Sequence, residues 1–417
     1  MISLLAPLIR GLYINATNAP CIVLAGTRNA PKNALSIDLE SVFSDDNTFN
    51  EQTAAKALSE AYAAWEFEIS PSGTDPGQVV KKQPSSIVLK RGAETLGVFW
   101  IDRDLDSASR RRENMDGSFM EEILPPALDT DSVSSGLTSS LRNNVVKNRV
   151  VVVTGGAQGF GEQICMGLAA SGALVFIADL NMESAENLAK KINSVQKRTA
   201  AIAVKTDVTS KESVEALFTA IAEKAGGIDI CISNAGVLEA GSVLEQDLNS
   251  FKFTTDVNYL GYFIVTKFAG RMLRLQHLNA PRWKTDIIQI NSKSGLKGSS
   301  KNSAYAGSKF GGVGLTASFA LELVEYNIKV NSICPGNFFD GPLWSDPENG
   351  LFVQYLQAGK VTGARTIEDV RSYYETKVPM KRGCEGSDVM RAIYYIVEQE
   401  YETGQALPVT GGQVMLH

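Results

Sequence analysis

VVVVTGGAQGFGEQI, residues 150–164, holds four consecutive valines and then a turn carrying Gly155, Gly159 and Gly161. A continuous β-branched run suits a strand buried on both faces, as in a parallel sheet. The glycines fall where that strand must turn into a helix. So tight a turn favours residues without a Cβ. The close approach of a pyrophosphate does too, and the N–H groups of the following helix N-terminus would hold it. An ordinary glycine turn is the alternative. The strand before it and the helical segment after it, from about residue 161 to 171, favour a dinucleotide site.

The same rhythm continues downstream. ALVFIADL (173–180), AAIAVKTD (200–207), GIDICISNAG (227–236), TDIIQINS (285–292), IKVNSICPG (328–336) and a short QALPVTGG (405–412) read as strands. Helical stretches lie between most of them. Alternation of this kind implies βαβ units. The expected fold is a Rossmann-type, doubly wound α/β domain with about seven parallel strands, spanning 146–417.

Upstream, APCIVLAG (19–26) and SSIVLKRGAETLGVFWID (85–102) read as strands, and NEQTAAKALSEAYAAWEF (50–67) as an amphipathic helix. They predict a small α/β domain over 1–128, of unknown role. Residues 129–144, DTDSVSSGLTSSLRNN, have the composition of a linker, which is taken as 129–145. The charge-dense IDRDLDSASRRRENMDG (101–117) before it reads as solvated. The opening MISLLAPLIRGLY lacks the basic-then-apolar order of a signal peptide and reads as part of a domain.

Composition narrows the function. A chain of 417 residues, 44% hydrophobic and 21% charged, can bury a large core. A net charge of −6 argues against a nucleic-acid partner. No run is long and apolar enough for a membrane helix, so no membrane partner is expected. Five cysteines, without a CxxC pair, suit a reduced, cytoplasmic setting. The two histidines, His277 and His417, lie in no motif, so neither a metal site nor a Ser-His-Asp triad is expected.

Asp179 ends the second strand, eighteen residues after Gly161. A carboxylate there can accept from both ribose hydroxyls of an adenosine and would repel a 2′-phosphate. No Arg or Lys follows in DLNMES, so NAD is the expected cofactor. Capping the next helix is the plainer role for Asp179.

With TGGAQGFG, SNAG (233–236), DVNYLGYF (256–263), NSKSG (291–295), YAGSK (305–309), CPG (334–336) and a final TGG (410–412), the chain resembles the short-chain dehydrogenase/reductase family. The likeness covers 146–417. INSKSG, KFGGVGLT, VPMKRGC and VTGGQVM resemble a subgroup of NAD-dependent enzymes that interconvert sorbitol 6-phosphate and fructose 6-phosphate.

Tyr305 and Lys309 stand at i, i+4, so a helix brings them to one face. Ser292 lies thirteen residues before Tyr305 at a strand end, on the sheet edge where the cofactor crevice opens. YYETK repeats the spacing at Tyr373 and Lys377 but has no strand end before it. Oxidising a secondary alcohol needs a base for its hydroxyl proton. Free Tyr, with a pKa near 10, stays protonated at neutral pH, too high for an efficient base, so a nearby ammonium, Lys309, and the positive nicotinamide would favour tyrosinate. Ser292 would steady the substrate oxygen. The resemblance adds Asn258, which would hold a water linking Lys309 to solvent. It also implies cofactor contacts from Phe160, Asp207, Val208, Asn234, Gly236, Pro335 and Asn337, with Tyr305 and Lys309.

Lys293, Lys297 and Lys301, between Ser292 and Tyr305, could bind a substrate phosphate. A solvated loop is the plainer reading. Lys381 and Arg382 are a second candidate. The chain departs from the family in Ser233, where Asn is commoner. NFFDGP after CPG lacks the threonine that contacts the nicotinamide amide, leaving that contact to backbone near Asn337 and Phe339. About 145 residues precede the first strand. The expected partner is a phosphorylated polyol or ketose, and a homo-oligomer, tetramer or dimer, is expected. Alternatives are a dehydrogenase of another polyol or secondary alcohol, or a nucleotide-binding regulator without turnover.

Overall fold

The structure, a computed structural model, describes residues 1–17, 19–26, 34–43, 49–69, 86–91, 94–102, 104–113, 142–348, 350–357, 359 and 361–415. Residues 129–141 of the expected linker and His417 lie outside them.

The N-terminal region begins with helix α1 (Ile2–Thr17), strands β1 (Ile22–Gly26) and β2 (Leu35–Asp38), and helix α2 (Glu51–Ile69). Strands β3 (Ser86–Arg91) and β4 (Glu94–Asp102) and helix α3 (Leu105–Glu113) follow among the described residues. Its four-stranded sheet runs β1-β4-β3-β2, with β2 parallel to β3 and the other pairs antiparallel. α1 and α3 are departures from the sequence reading. Of the stretch read as solvated, the described residues 101–102 and 104–113 are the end of β4 and α3 with the residue before it, and 103 and 114–117 lie outside the described residues. Asp104 starts that helix by accepting from the Ser107 N–H at 2.8 Å, and Ala108 is buried.

Seven strands follow: β5 (Val150–Thr154), β6 (Leu174–Asp179), β7 (Ala201–Lys205), β8 (Ile230–Ser233), β9 (Thr285–Ile290), β10 (Ile328–Pro335) and β11 (Ala406–Val409). They form one parallel sheet in the order β11-β10-β9-β8-β5-β6-β7. β5 lies where the order reverses, so a crevice opens beyond the C-terminal ends of β5 and β8. Its first four residues, Val150–Val153, are valines, all fully buried because helices cover both faces. One face carries α4 (Gly159–Ala170), α5 (Met182–Gln196) and, near the chain's end, α13 (Gly386–Glu398). The other carries α6 (Lys211–Ala225), α8 (Gly261–Asn279), which follows the short α7 (Leu248–Thr255), and α9 (Ser303–Leu323). Between β10 and α13 three short helices, α10 (Pro342–Ser345), α11 (Leu351–Gln357) and α12 (Ile367–Thr376), make a lid. It has its own core of Phe339, Trp344, Phe352 and Val370.

The N-terminal sheet does not hang free. α1 lies on α8 and α6, and β1 on α6, so Leu5, Leu8 and Ile9 share one core with Val150, Phe176 and Ile287. A Cβ on Gly11 would run into the carbonyl oxygen of Gln276, so glycine is what lets α1 sit this close to α8. Arg10, fully buried, reaches from α1 to the residues just before β8. It donates to Asp229 Oδ2 at 2.8 Å and Oδ1 at 3.2 Å, and to the Cys21 carbonyl at 2.9 Å. Asp229 also accepts from the Val150 N–H at 2.8 Å and Trp283 Nε1 at 3.0 Å. Every strong acceptor position of that carboxylate is used, as a buried charge requires.

Candidate active site

The glycine turn between β5 and α4 has the expected form. Gly155 and Gly159 both adopt φ of +59°, which an L side chain resists. A Cβ on Gly155 would come within 2.8 Å of Ala235 Cα, so packing against the β8 end also demands glycine. A Cβ on Gly159 would meet nothing nearer than Pro342 at 3.8 Å. That open ground at the start of α4 fits a pyrophosphate. Gly161 is buried under Gly155, where a Cβ would press on Asn234 Nδ2 and the Gly155 backbone. Phe160 stacks on Phe338 of the segment after β10, ring centroids 4.4 Å apart.

Asp179 does not cap α5; Asn181 does, accepting from the Ser184 N–H at 3.1 Å. Asp179 instead accepts from the Ala157 N–H of the glycine turn at 2.9 Å and the Asn181 N–H at 2.9 Å. Asp207 accepts from Thr209, and Val208 packs against Gly261. Asn234 donates to the carbonyls of Gly155 at 2.8 Å and Thr154 at 3.1 Å, tying the β8 end to the turn. Pro335 closes β10. The Asn337 N–H donates to Gln413 at 3.3 Å, and its carbonyl accepts from the Cys384 N–H at 2.8 Å.

One cavity of about 910 Å³ joins the turn to the strand ends. Gly155, Gly159, Phe160, Asn234, Gly236 and Asn337 line it. So do Ser292, Tyr305, Lys309 and all three loop lysines, Lys293, Lys297 and Lys301. Asp179, Asp207, Val208, Gly161 and Pro335 lie outside that lining, as does Asn258 behind it. Lys381 and Arg382 lie outside it too: Lys381 Nζ donates to the Thr376 carbonyl at 2.8 Å, and Arg382 pairs with Asp388.

Asn258 lies in a single π-helical turn, Asp256–Leu260, between α7 and α8. Such turns widen a helix and re-aim its side chains. Asn258 bonds both backbone groups of Val237 and donates to Ser308 Oγ at 3.1 Å. A Cβ on Gly236 would sit 3.2 Å from Asn258 Oδ1 and 3.5 Å from Lys309 Nζ, so both groups converge on that glycine.

Tyr305 and Lys309 share a face of α9, with Nζ 5.5 Å from the ring centroid. Lys309 is only 4% exposed, and its Nζ donates to the Ile290 carbonyl at 3.2 Å. Burial without a carboxylate lowers its pKa to about 8. Burial raises Tyr305, and a hydrogen bond with Ser292 pulls it back. The Ser292 hydrogen bond therefore works against burial at the tyrosine. Asn291, which sequence reasoning passed over, holds both: it accepts from the Ser292 N–H at 2.8 Å and donates to the Lys309 carbonyl at 3.0 Å. Nothing in the local pattern marks it, since the Lys309 carbonyl it reaches lies on α9, eighteen residues on. The lid's contribution of Trp344, Tyr355, Tyr374 and Lys377 was also missed. Lys377 is the lysine of the second YxxxK, which has no strand end before it yet borders the same cavity. Among the described residues no cluster of ligating side chains could hold a metal, and no helix is long and apolar enough to cross a membrane.

The family model described as short chain dehydrogenase matches residues 149–344. Sorbitol-6-phosphate 2-dehydrogenase of Escherichia coli is 39% identical over 270 residues, covering 64% of this chain and 99% of that protein. This chain belongs to the short-chain dehydrogenase family. The crystal structure of sorbitol-6-phosphate 2-dehydrogenase from Erwinia amylovora is 41% identical, with a TM-score of 0.59, and covers 64% of this chain and 100% of that one. Trans-4-hydroxycyclohexanecarboxylate dehydrogenase of Sinomonas cyclohexanicum is 31% identical over 277 residues, 64% of this chain and 93% of that protein. The N-terminal region lies outside these matches. A short-chain dehydrogenase is an oxidoreductase that works with a nicotinamide cofactor, NAD or NADP, on a small molecule, and the cavity suits both.

Proposed function

We propose that the protein is an NAD-dependent dehydrogenase that interconverts sorbitol 6-phosphate and fructose 6-phosphate. The observation that carries this is the charge of the cavity. Among the described residues five lysines line it, Lys293, Lys297, Lys301, Lys309 and Lys377, against one carboxylate, Glu239. A wall so short of negative charge suits a phosphorylated substrate. The likeness to two sorbitol-6-phosphate 2-dehydrogenases supports the same substrate. Asp179 and the lack of a cation after it support NAD.

The glycine turn, with Gly155 and Gly159 lining the cavity, would hold NAD, which would supply the acceptor for the hydride of the alcohol carbon. Tyr305 Oη takes the hydroxyl proton, and in the reverse direction returns it. Ser292 Oγ hydrogen-bonds the substrate oxygen and, through its bond to Tyr305, favours the tyrosinate. Lys309, with a pKa near 8, exchanges its proton close to neutral pH and passes it toward Asn258, which holds a water on the way to solvent. The N-terminal region, read as a small α/β domain over 1–128, precedes the linker 129–145 and the NAD-binding domain 146–417, and its described elements α1 and β1 pack on α6 and α8. Exposed Phe251, Phe253, Phe263, Phe310 and Leu321 on α7–α9 support a homo-oligomer, a dimer or tetramer. Five free, buried cysteines support a reduced, cytoplasmic setting.

The test is absorbance at 340 nm with NAD and sorbitol 6-phosphate, mannitol 6-phosphate, sorbitol and xylitol. Fast reduction with sorbitol 6-phosphate and little with sorbitol is the expected result. Turnover of free polyols alone would move the assignment to another secondary alcohol. In Tyr305→Phe, turnover should fall about 10²–10⁴-fold while NAD still binds.

A further inference from the structure

The lid brings a cation to the cavity that no catalytic role uses. Lys377 follows the last turn of α12. Its backbone is anchored, because the next residue, Val378, is 2% exposed in the lid core. Its Nζ lies 4.1 Å from the ring centroid of Tyr373 and 5.4 Å from that of Tyr374. Tyr374 lines the cavity beside Tyr355, their centroids 5.4 Å apart. A lysine at a helix C-terminus is often there for the helix dipole. Here that duty falls to Lys381, whose Nζ donates to the Thr376 carbonyl at the end of α12. The neighbouring carboxylate, Glu375, is engaged by Arg371 at 2.9 Å. Among the described residues no ion pair includes Lys377. Two aromatic rings thus hold an ammonium group at the cavity wall without a counter-charge.

The loop lysines meet the complementary problem. Lys293 is half-buried, and burial together with neighbouring Lys297 lowers its pKa. The loop repels its own charges, and a dianion would relieve them. Building on the phosphorylated-substrate reading, we propose that Lys377 is a ligand of the substrate phosphate, holding it from the lid while the lysines between β9 and α9 hold it from the loop. Phosphate accepts from several ammonium groups at once, so one anion satisfies both walls. Polyols without phosphate lack the group that ties lid to loop.

The experiment compares Lys377→Gln and Lys377→Arg with the wild-type chain on sorbitol 6-phosphate and sorbitol, with inorganic phosphate as a competing ion. Lys377→Gln should lower kcat/KM for sorbitol 6-phosphate about 10–100-fold, the size of a lost charge-assisted contact. It should leave sorbitol within about twofold, since that substrate makes no such contact. Inhibition by inorganic phosphate should weaken in the same variant, and Lys377→Arg should recover part of both effects. A wild-type enzyme that favours sorbitol 6-phosphate, with the preference unchanged in Lys377→Gln, overturns this assignment and leaves the substrate reading standing. An equal loss on both substrates also overturns it, since that marks a structural role for the lid residue. A wild-type enzyme with no preference for the phosphorylated polyol overturns both.

Discussion

Two buried cations sit at opposite ends of the central strands, and they are built for different ends. Arg10, below the N-terminal ends of β5 and β8, has a full set of partners: a bidentate carboxylate and two backbone carbonyls. Its influence holds Asp229 below the ordinary carboxylate range although burial pushes the other way. Lys309, above the C-terminal ends, has one backbone carbonyl and no carboxylate. Lys329, the third cation buried among the described residues, pairs with Asp286 at 3.0 Å. Lys309 alone of the three is left without a counter-charge. Pairing makes a strut whose charge does not change near neutral pH. Leaving the charge unpaired costs stability and yields a group that exchanges a proton near pH 8.

The largest effect expected from breaking this contrast is at the strut. Arg10→Met strands a buried carboxylate and should cost about 3–5 kcal/mol, read from urea unfolding at pH 7. In the wild type the Asp229 contribution is present above pH 3.8 and lost as pH falls below it. In the variant the carboxyl should titrate above its ordinary value, so the gap from wild type should narrow as pH falls from 7 toward 5. Arg10→Met with Asp229→Asn should recover much of the loss. If the single variant unfolds like the wild type, the strut carries no stability.

Lys309→Met comes next. Turnover should fall about 10²-fold, yet the variant should be no less stable at pH 7. The reason is the direction of the shift. The folded value of about 8 lies below 10.5 for the free side chain. Between those values the unfolded chain binds more protons, so wild-type stability should rise with pH across that window. The variant should lack that rise, and denaturant melts at pH 7.5, 9 and 10 would show it. A loss of stability at pH 7 would mean the Ile290 hydrogen bond outweighs the cost of burying the charge.

The smallest effect is at Ser292. Ser292→Ala removes the hydrogen bond that lowers Tyr305. The rate–pH profile for polyol oxidation should move to higher pH, besides any loss in rate. A profile that stays in place would return the lowering role to Lys309.

Much of the catalytic end was legible because its signals are local. The run from Val150 to Gly161 encodes strand, turn and helix start, and i, i+4 spacing puts Tyr305 and Lys309 on one face whatever lies around them. Ser292 needed only the strand count. The N-terminal end was less legible. α1 looked like an unassigned apolar run because its pattern is complete only against α8, and α3 looked solvated because one charged face hides two packed positions, Leu105 and Ala108.

Residue order alone determined the parallel sheet, the glycine turn and the paired spacing of Tyr305 and Lys309, since each depends on backbone geometry over a few residues. Only the tertiary structure decided which charges are paired. Arg10 and Asp229 lie 219 residues apart, and Lys377 reaches the cavity through a lid whose aromatic core no local pattern announces. Pairing depends on which side chains the folded chain brings within reach, and spacing along the sequence does not carry that information.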